Sequence, residues 1–445
     1  MDLELVQQGD KQLEIFTLAP SLEERATGFF VANYVLGLSG PSRGHLDYLA
    51  DIARRQTLDE GLIASMKAVG LAGYAHSVHA PSLMKNARYQ YVKALQSTNM
   101  ALRHPDTARK DTTLISIMIL TIFETITGCN QKSLIDWAQH VNGAAALVKL
   151  RGPDQIKSPA GRRMLVQITA NLMIYALQRG SHVPQHIRDY MEAIMTIVEK
   201  PDPTLVVNNT MMQFCSLRAD VMHGRLTDPE EILRRALELD GIMLNLSNNP
   251  PEGWQYETIY TDEDCDLVWN GQYHVYYDYW IAQIWNALRV VRTLVNEMIR
   301  TVLLRGFASQ PPRFTQSEHT AQFQISTDTL FELQADILYS VVQHIGYFLK
   351  PTKQQFQHSS CSFVGSKKLF DLNDELSNVR MSGGSFLLWP LWVAGMMDLA
   401  TDEQREFVVK NLRAIGDRMG ISQAHILADV LVAKTNIMVW EVKES

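Results

Sequence analysis

Apolar residues recur every third or fourth position through most of this chain, the spacing that gathers them on one face of an α-helix. No sustained alternation of Val, Ile and Thr calls for a sheet. The pattern predicts helices over 21–37, 43–54, 57–77, 80–100, 111–128, 133–151, 159–180, 184–199, 208–223 and 228–246. A long aromatic segment at 266–304 extends the series, and 325–349, 385–398, 402–419 and 421–434 complete it. Ser21 and Glu24 stand in capping-box register, Asp111 is placed as an N-cap, and Gly152 followed by Pro153 reads as a helix stop. The expected fold class is all-α, a large multi-helix array or bundle. Long irregular loops, rich in Pro, Ser, Asn, Gln or charge, are expected at 247–264, 306–322 and 351–370. The domain reading is a lead segment at 1–20, one helical domain at 21–434 and a tail at 435–445, with no fixed-period repeat.

Two helices stand out. The stretch "DTTLISIMILTIFETITG" is apolar nearly all round, which places it at the centre of the array. Glu124 lies within it, and a carboxylate there must be paired, hydrogen-bonded or protonated. An ion pair is the structural explanation, and a general acid/base role is the chemical one. The stretch "WAQHVNGAAALVKLRG" puts Trp137, His140, Ala144, Leu147 and Arg151 on one helical face. A glycine inside a helix costs roughly 1 kcal/mol relative to alanine. Gly143 and the following alanines are therefore read as a small-residue seam for a neighbouring helix, with His140 one turn away as a candidate ligand contact or catalyst.

Charge and chemistry narrow the picture. The 445 residues carry a formal net charge of −7, which argues against this chain gripping a phosphate backbone by itself. Cys129, Cys215, Cys265 and Cys361 are far apart and form no metal-knuckle or disulfide spacing. The pairs His76 with His79 and His182 with His186 lack an acidic third ligand at helical spacing, so no metal site is expected. No glycine-rich phosphate loop, nucleophile elbow or Cys/His signature is found, and no cofactor is implied. The N-terminus has no apolar signal core, and the longest apolar run is too short to span a bilayer; an intracellular protein without a membrane partner is expected.

The middle of the chain is rich in rings. Trp269, Tyr273, His274, Tyr276, Tyr277, Tyr279 and Trp280 crowd one segment, too many for all to be core, and at least one concave aromatic surface is expected among them. Trp285 and Arg289 are one turn apart, so the guanidinium can cover the indole, while Arg289 and Arg292 can reach carboxylates on their own or another helix. A structural polar anchor and an anionic ligand site are both open readings. In "FLLWPLWVAGMM", Pro390 removes a backbone donor and is expected to bend the helix between Trp389 and Trp392, either opening a cavity or wrapping the core.

The run "FETITGCNQKSLIDWAQHVNGAAALVKLRG" resembles the regulatory region of fungal-specific transcription factors, whose DNA-binding part is a six-cysteine binuclear zinc cluster. Further stretches fit the same order: "SLEERATGFFVANYV" with "SRGHLDYL", then "YYDYWIAQIWNALRVVRTLVNEMI" with Trp285, Asn286, Arg289 and Arg292, then "GGSFLLWPLWVAG" with "GDRMGISQAHILADVL". The resemblance implies an all-helical regulatory domain that receives a small-molecule or protein signal and can dimerise. The six-cysteine cluster and its basic segment are missing from this sequence, so direct nucleic acid contact by this chain is not expected.

Two functions follow from this. The first is a transcription-regulator-like helical domain, nuclear or cytoplasmic, that senses a small apolar ligand and binds protein partners or a second copy. Trp137, His140, Tyr273, Tyr277, Trp280, Trp285, Arg289 and Trp389 are its candidate ligand contacts. The second is an enzyme of secondary metabolism that recruited the same pocket for cofactor-independent cyclisation or isomerisation of an apolar metabolite, with Glu124, His140 and Asp278 as candidate catalytic residues.

Overall fold

A computed structural model describes residues 20–37, 40–41, 43–128, 131–262, 265–345 and 381–433. The expected loop at 351–370, Cys129, Cys361 and most of the lead and tail segments lie outside these residues. The described chain is built almost wholly of helices, as the periodicity predicts. They are α1 (Leu22–Tyr34), α2 (Leu49–Arg55), α3 (Glu60–Ser77), α4 (Ser82–Leu102), α5 (Pro105–Ala108), α6 (Asp111–Thr127), α7 (Gln131–Arg151), α8 (Pro159–Arg179), α9 (Gln185–Ile197), α10 (Pro203–Met222) and α11 (Pro229–Asn248). After a β-hairpin of β1 (Glu257–Tyr260) and β2 (Gln272–Val275) come α12 (Tyr279–Phe307), α13 (Ser317–Tyr339), α14 (Val341–Ile345), α15 (Met381–Met396), α16 (Asp402–Met419) and α17 (Gln423–Val432).

Local chemistry sets most boundaries. At the start of α1, the Ser21 hydroxyl accepts from the Glu24 amide while Glu24 accepts from the Ser21 amide at 2.8 Å, completing the expected capping box. Asp202 and Asp228 cap α10 and α11, each followed by a proline whose missing N–H costs nothing at that position. Asp111 departs from expectation. It is the first residue of α6 rather than its cap, and its carboxylate pairs with Arg151 at the end of α7.

The aromatic segment needs a larger correction. Residues 266–278 are not helical; they turn back to pair with β1 as an antiparallel hairpin in which Thr258 faces His274 and Ile259 faces Tyr273. The reason is the dipeptide Asn270-Gly271, where both residues have positive φ, 49° and 68°. Asn-Gly suits the tight turn between Trp269 and Gln272, and it stops helical hydrogen bonding there. The expected loops at 247–264 and 306–322 accordingly contain β1 and the start of α13.

One continuous core joins the helices. Helix α6 is buried on nearly every side and packs against α3, α4, α7 and α8, the central place its sequence predicts. Helix α12 holds the same position further along the chain, against α10, α11, α13 and α15. The C-terminal helices return to the beginning: the amide of Ser422 donates to the carbonyl of Ile126, docking α17 on the end of α6.

The expected small-residue seam holds for Ala144 and Ala145, which are buried, but not for its glycine. Gly143 is exposed, and an added Cβ there would meet nothing within 4 Å. The close approach is made instead by Gly70 of α3, where a Cβ would lie 1.9 Å from the carbonyl oxygen of Ala26 in α1. Only hydrogen fits between those backbones.

A buried polar knot ties the hairpin to the helices. Arg289, 1 % exposed, donates to the Tyr276 hydroxyl at 2.6 Å and to Asn286 Oδ1 at 3.0 Å, and pairs with Asp336 of α13 at 3.4 Å. The Gln343 side chain accepts from the Tyr276 amide and donates to the Tyr276 carbonyl. Asn286 reaches Ser340 at 2.8 Å and the imidazole of His344 at 3.1 Å. Burial, reinforced by the positive charge of Arg289, pushes His344 down to about 4 from its ordinary 6.5, so it is neutral in the folded protein.

Two outcomes are expected. In denaturant unfolding, Gly70→Ala lowers stability by about 1–3 kcal/mol through overpacking, whereas Gly143→Ala raises it by about 0.5–1 kcal/mol. Equal effects at the two positions would refute the placement of the seam. The His344 contribution is fully present above pH 6.5 and falls away as the pH drops towards 4, by about 3 kcal/mol at most. His344→Gln should therefore flatten the decline of the unfolding midpoint between pH 6.5 and 4.5, and an unchanged slope would disprove the assignment.

Candidate functional site

Helix α12 has two working faces. Asn286 and Arg289 point into the polar knot, while Trp280, Gln283, Ala287 and Val290, spaced three or four apart, line a cavity on the adjoining face. The cavity has a volume of about 270 Å³. Helix α8 supplies Gln167, Asn171, Ile174 and Gln178, and α10 supplies Val207, Asn208 and Met211. Thr121 and Thr125 of α6, Trp137 of α7, and Ser382, Ser385, Phe386 and Trp389 of α15 complete most of the wall. Among the described residues, no Asp, Glu, Lys or Arg faces it.

One side of the wall is a relay of hydrogen bonds. The Tyr48 hydroxyl donates to Gln167 Oε1 at 3.0 Å, and Gln167 Nε2 meets His45 Nε2 at 2.7 Å. His45 Nδ1 then lies 3.0 Å from the carbonyl of Tyr34. A carbonyl can only accept, so the proton sits on Nδ1 and Nε2 accepts from Gln167. Burial pushes His45 down to about 4, which keeps the ring neutral despite the favourable carbonyl bond. Its edge meets Phe386, with ring centroids 5.4 Å apart, and Phe386 in turn meets Trp280 at 6.1 Å.

The remaining polar groups on the wall behave differently. Among the described residues, Gln178 Oε1, Asn208 Oδ1 and Gln283 Oε1 are buried with no hydrogen-bond partner. So are Trp280 Nε1 and Trp389 Nε1, together with the hydroxyls of Ser382 and Ser385. Such groups are scarce in folded proteins because each forfeits its hydration. Here seven belong to residues of the cavity wall, and others lie elsewhere in the fold.

The structure brings only part of the sequence-derived set to this place. Trp137, Trp280 and Trp389 line the cavity, the last stacked on Trp392 with centroids 5.0 Å apart and followed by Pro390, also on the wall. Trp285 and Arg289 lie in the knot: the indole donates to the carbonyl of Trp254 at 2.7 Å, and the guanidinium stands 5.6 Å from the Trp285 ring centroid and 5.2 Å from that of Tyr256. Arg292 is bound to Asp240 of α11 at 2.9 Å. Tyr273 is buried in β2, and Tyr277 is 38 % exposed against Gly40.

The three acid/base candidates also lie off the wall. Glu124 accepts from the Tyr91 hydroxyl rather than from a cation, and burial raises its pKa. Asp278 caps α12, accepting from the Ile281 amide at 2.8 Å. His140, on α7, is held towards its neutral form by burial. No group of three His, Cys, Asp or Glu side chains among the described residues is arranged to hold a metal ion. His182 bonds Asp220 at 3.1 Å, and His186 bonds the carbonyl of Ala145 at 2.9 Å. No helix among the described residues is long and apolar enough to cross a membrane.

His45, Gln167, Asn171, Gln178, Asn208 and Gln283 were not singled out from sequence. Amides at three- and four-residue spacing on an otherwise apolar face of α8 were the available signal, because such a face buries them wherever it packs.

The comparisons with known proteins fit this architecture. A sequence profile described as the fungal specific transcription factor domain matches residues 58–206, the stretch that runs from the start of α3 into α10. Transcription factor dbaG of Emericella nidulans is 23 % identical over 394 residues, covering 87 % of this chain and 86 % of that protein. No solved structure matches the chain significantly. Helices α6, α7 and α8, which supply part of the cavity wall, fall inside the matched stretch, so this part of the chain is similar to the fungal specific transcription factor domain.

Proposed function

We propose that this is a regulatory domain that senses a small molecule in the cavity between α8, α10, α12 and α15 and passes the signal to protein partners in the nucleus. The observation that carries the reading is the cavity itself: a concave, largely apolar space whose wall residues include several amide, indole and hydroxyl side chains, the usual form of a ligand site. Its position supports a regulatory use. Helix α8 packs mainly on α7, α9 and α10, whereas α15 packs on α12, α14, α16 and α17. A molecule filling the space would touch both groups at once, and binding that favours one spacing of the walls shifts the populations of the whole array.

Two further features support action through partners. The formal charge of −7 disfavours phosphate contact by this chain. Tyr89 and Met100 on α4 are 69 % and 57 % exposed, leaving apolar surface for a partner or second copy. The enzymatic alternative gains nothing from the geometry, because Glu124, His140 and Asp278 lie off the cavity wall and His45 has both ring nitrogens engaged.

The test is Ala170→Phe, which fills the cavity from α8. In the strain of origin, the variant is expected to retain its abundance and melting temperature while changing the same transcripts as deletion of the gene. A deletion with a transcript phenotype that Ala170→Phe does not share would remove the cavity from the signal. A deletion without transcript changes would remove the regulatory reading altogether.

A further inference from the structure

We propose that the solvent-facing side of α4 is a docking site for residues 1–19 of this same chain, the part of the lead segment outside the described residues. The proposal stands apart from the sensing role of the cavity. It touches the preceding reading at one point: a partner would reach α4 by displacing the lead.

The face of the helix carries the first part of the argument. Helix α4 buries Ala87, Ala94 and Thr98, and the residues half a turn round from them form an exposed strip. Along it Lys85, Tyr89, Val92, Gln96, Met100 and Arg103 follow one another at three- and four-residue spacing. Val92 is 49 % exposed between the still more exposed Tyr89 and Met100, so the apolar side chains make a row rather than single scattered ones.

The charge of the strip carries the second. From Gly61 to Pro105 the sequence contains no Asp or Glu, so the cations of α4 have no carboxylate on their own helix. Lys93, on the flank, pairs with Glu60 of α3 at 2.7 Å. Lys85, Arg88 and Arg103 are exposed and make no ion pair among the described residues. In a chain of net charge −7, this is a local excess of positive charge beside apolar surface, and its complement is a segment both acidic and apolar.

The lead has that composition and the right point of departure. It holds Asp2, Glu4, Asp10 and Glu14 against Lys11, interleaved with apolar residues such as Leu3, Val6, Leu13 and Phe16. It runs into α1, where Glu23 in the first turn bonds Lys67 of α3 and is close enough to Lys93 of α4 for that cation also to hold its carboxyl down. The lead therefore leaves the described chain beside the middle of α4. Reach is sufficient: α4, with 21 residues, is about 31 Å long, and residues 1–19 span about 28 Å if helical and up to about 63 Å if extended. A tethered segment is present at an effective concentration of roughly millimolar, so even a weak contact suffices to hold it.

The experiment uses the full chain with a photoreactive benzophenone amino acid in place of Val92, and identifies cross-linked peptides by mass spectrometry. Cross-links to residues 1–19 of the same molecule are expected as the major product. Reversing the strip with Lys85→Glu, Arg88→Glu and Arg103→Glu is expected to lower their yield at least about fivefold. Adding Glu4→Lys, Asp10→Lys and Glu14→Lys is expected to restore most of it, which separates lost docking from lost folding. Mixing isotope-labelled and unlabelled chains shows which molecule is reached, and cross-links predominantly between the two kinds overturn the proposal in favour of a second copy. Absence of cross-links to residues 1–19, or a yield that the charge reversal leaves unchanged, overturns it as well. None of these readouts involves transcripts: an inert Ala170→Phe leaves the docking in place, and failed docking leaves the cavity reading in place.

Discussion

The array depends on how the guanidinium of Arg289 is accommodated. A charge at that depth is tolerated only when its donors are matched, and the matching groups come from three separate elements: Tyr276 after the hairpin, Asn286 on α12 itself and Asp336 on α13. The rings of Tyr256, Tyr276 and Trp285 cover the remaining faces of the cation. Because these partners cannot all be met in any other register, the hairpin, α12 and α13 are locked together in rotation as well as position. Rotation matters here: with Asn286 and Arg289 held in the knot, Trp280 and Gln283 on the adjoining face of the same helix are turned to the cavity.

The cavity and the knot use buried polarity in opposite ways. In the knot, amides, an imidazole and hydroxyls bond one another in a connected cluster. Along the cavity the relay from Tyr48 to Tyr34 is likewise connected, yet the groups on α8, α10, α12 and α15 are left unpaired.

Gly70 and Gly143 illustrate how one residue type serves different ends. At Gly70 the backbones of α1 and α3 are so close that a methyl group would collide with a carbonyl oxygen, which lets α1 lie down on the array. At Gly143 there is only open space, so the helix-weakening residue has no packing role, and the burial of α7 is carried by Trp137, Val141, Ala144, Ala145 and Val148.

The amino-acid pattern by itself determined the helices, because their apolar periodicity and their caps at Ser21 and Thr401 act within a few residues of each position. It also determined the family resemblance and the central burial of α6. It misassigned the ring-rich stretch before α12, where the Asn270-Gly271 turn outweighed a spacing that looked helical. Which polar residues would face a shared space was decided only in three dimensions. Trp285 and Trp280 differ little in sequence context, yet one is sealed in the knot and the other lines the cavity, because that outcome follows from how α12 is rotated between neighbours distant along the chain. Periodicity says that a side chain lies on a given face of a helix; only packing says what that face meets.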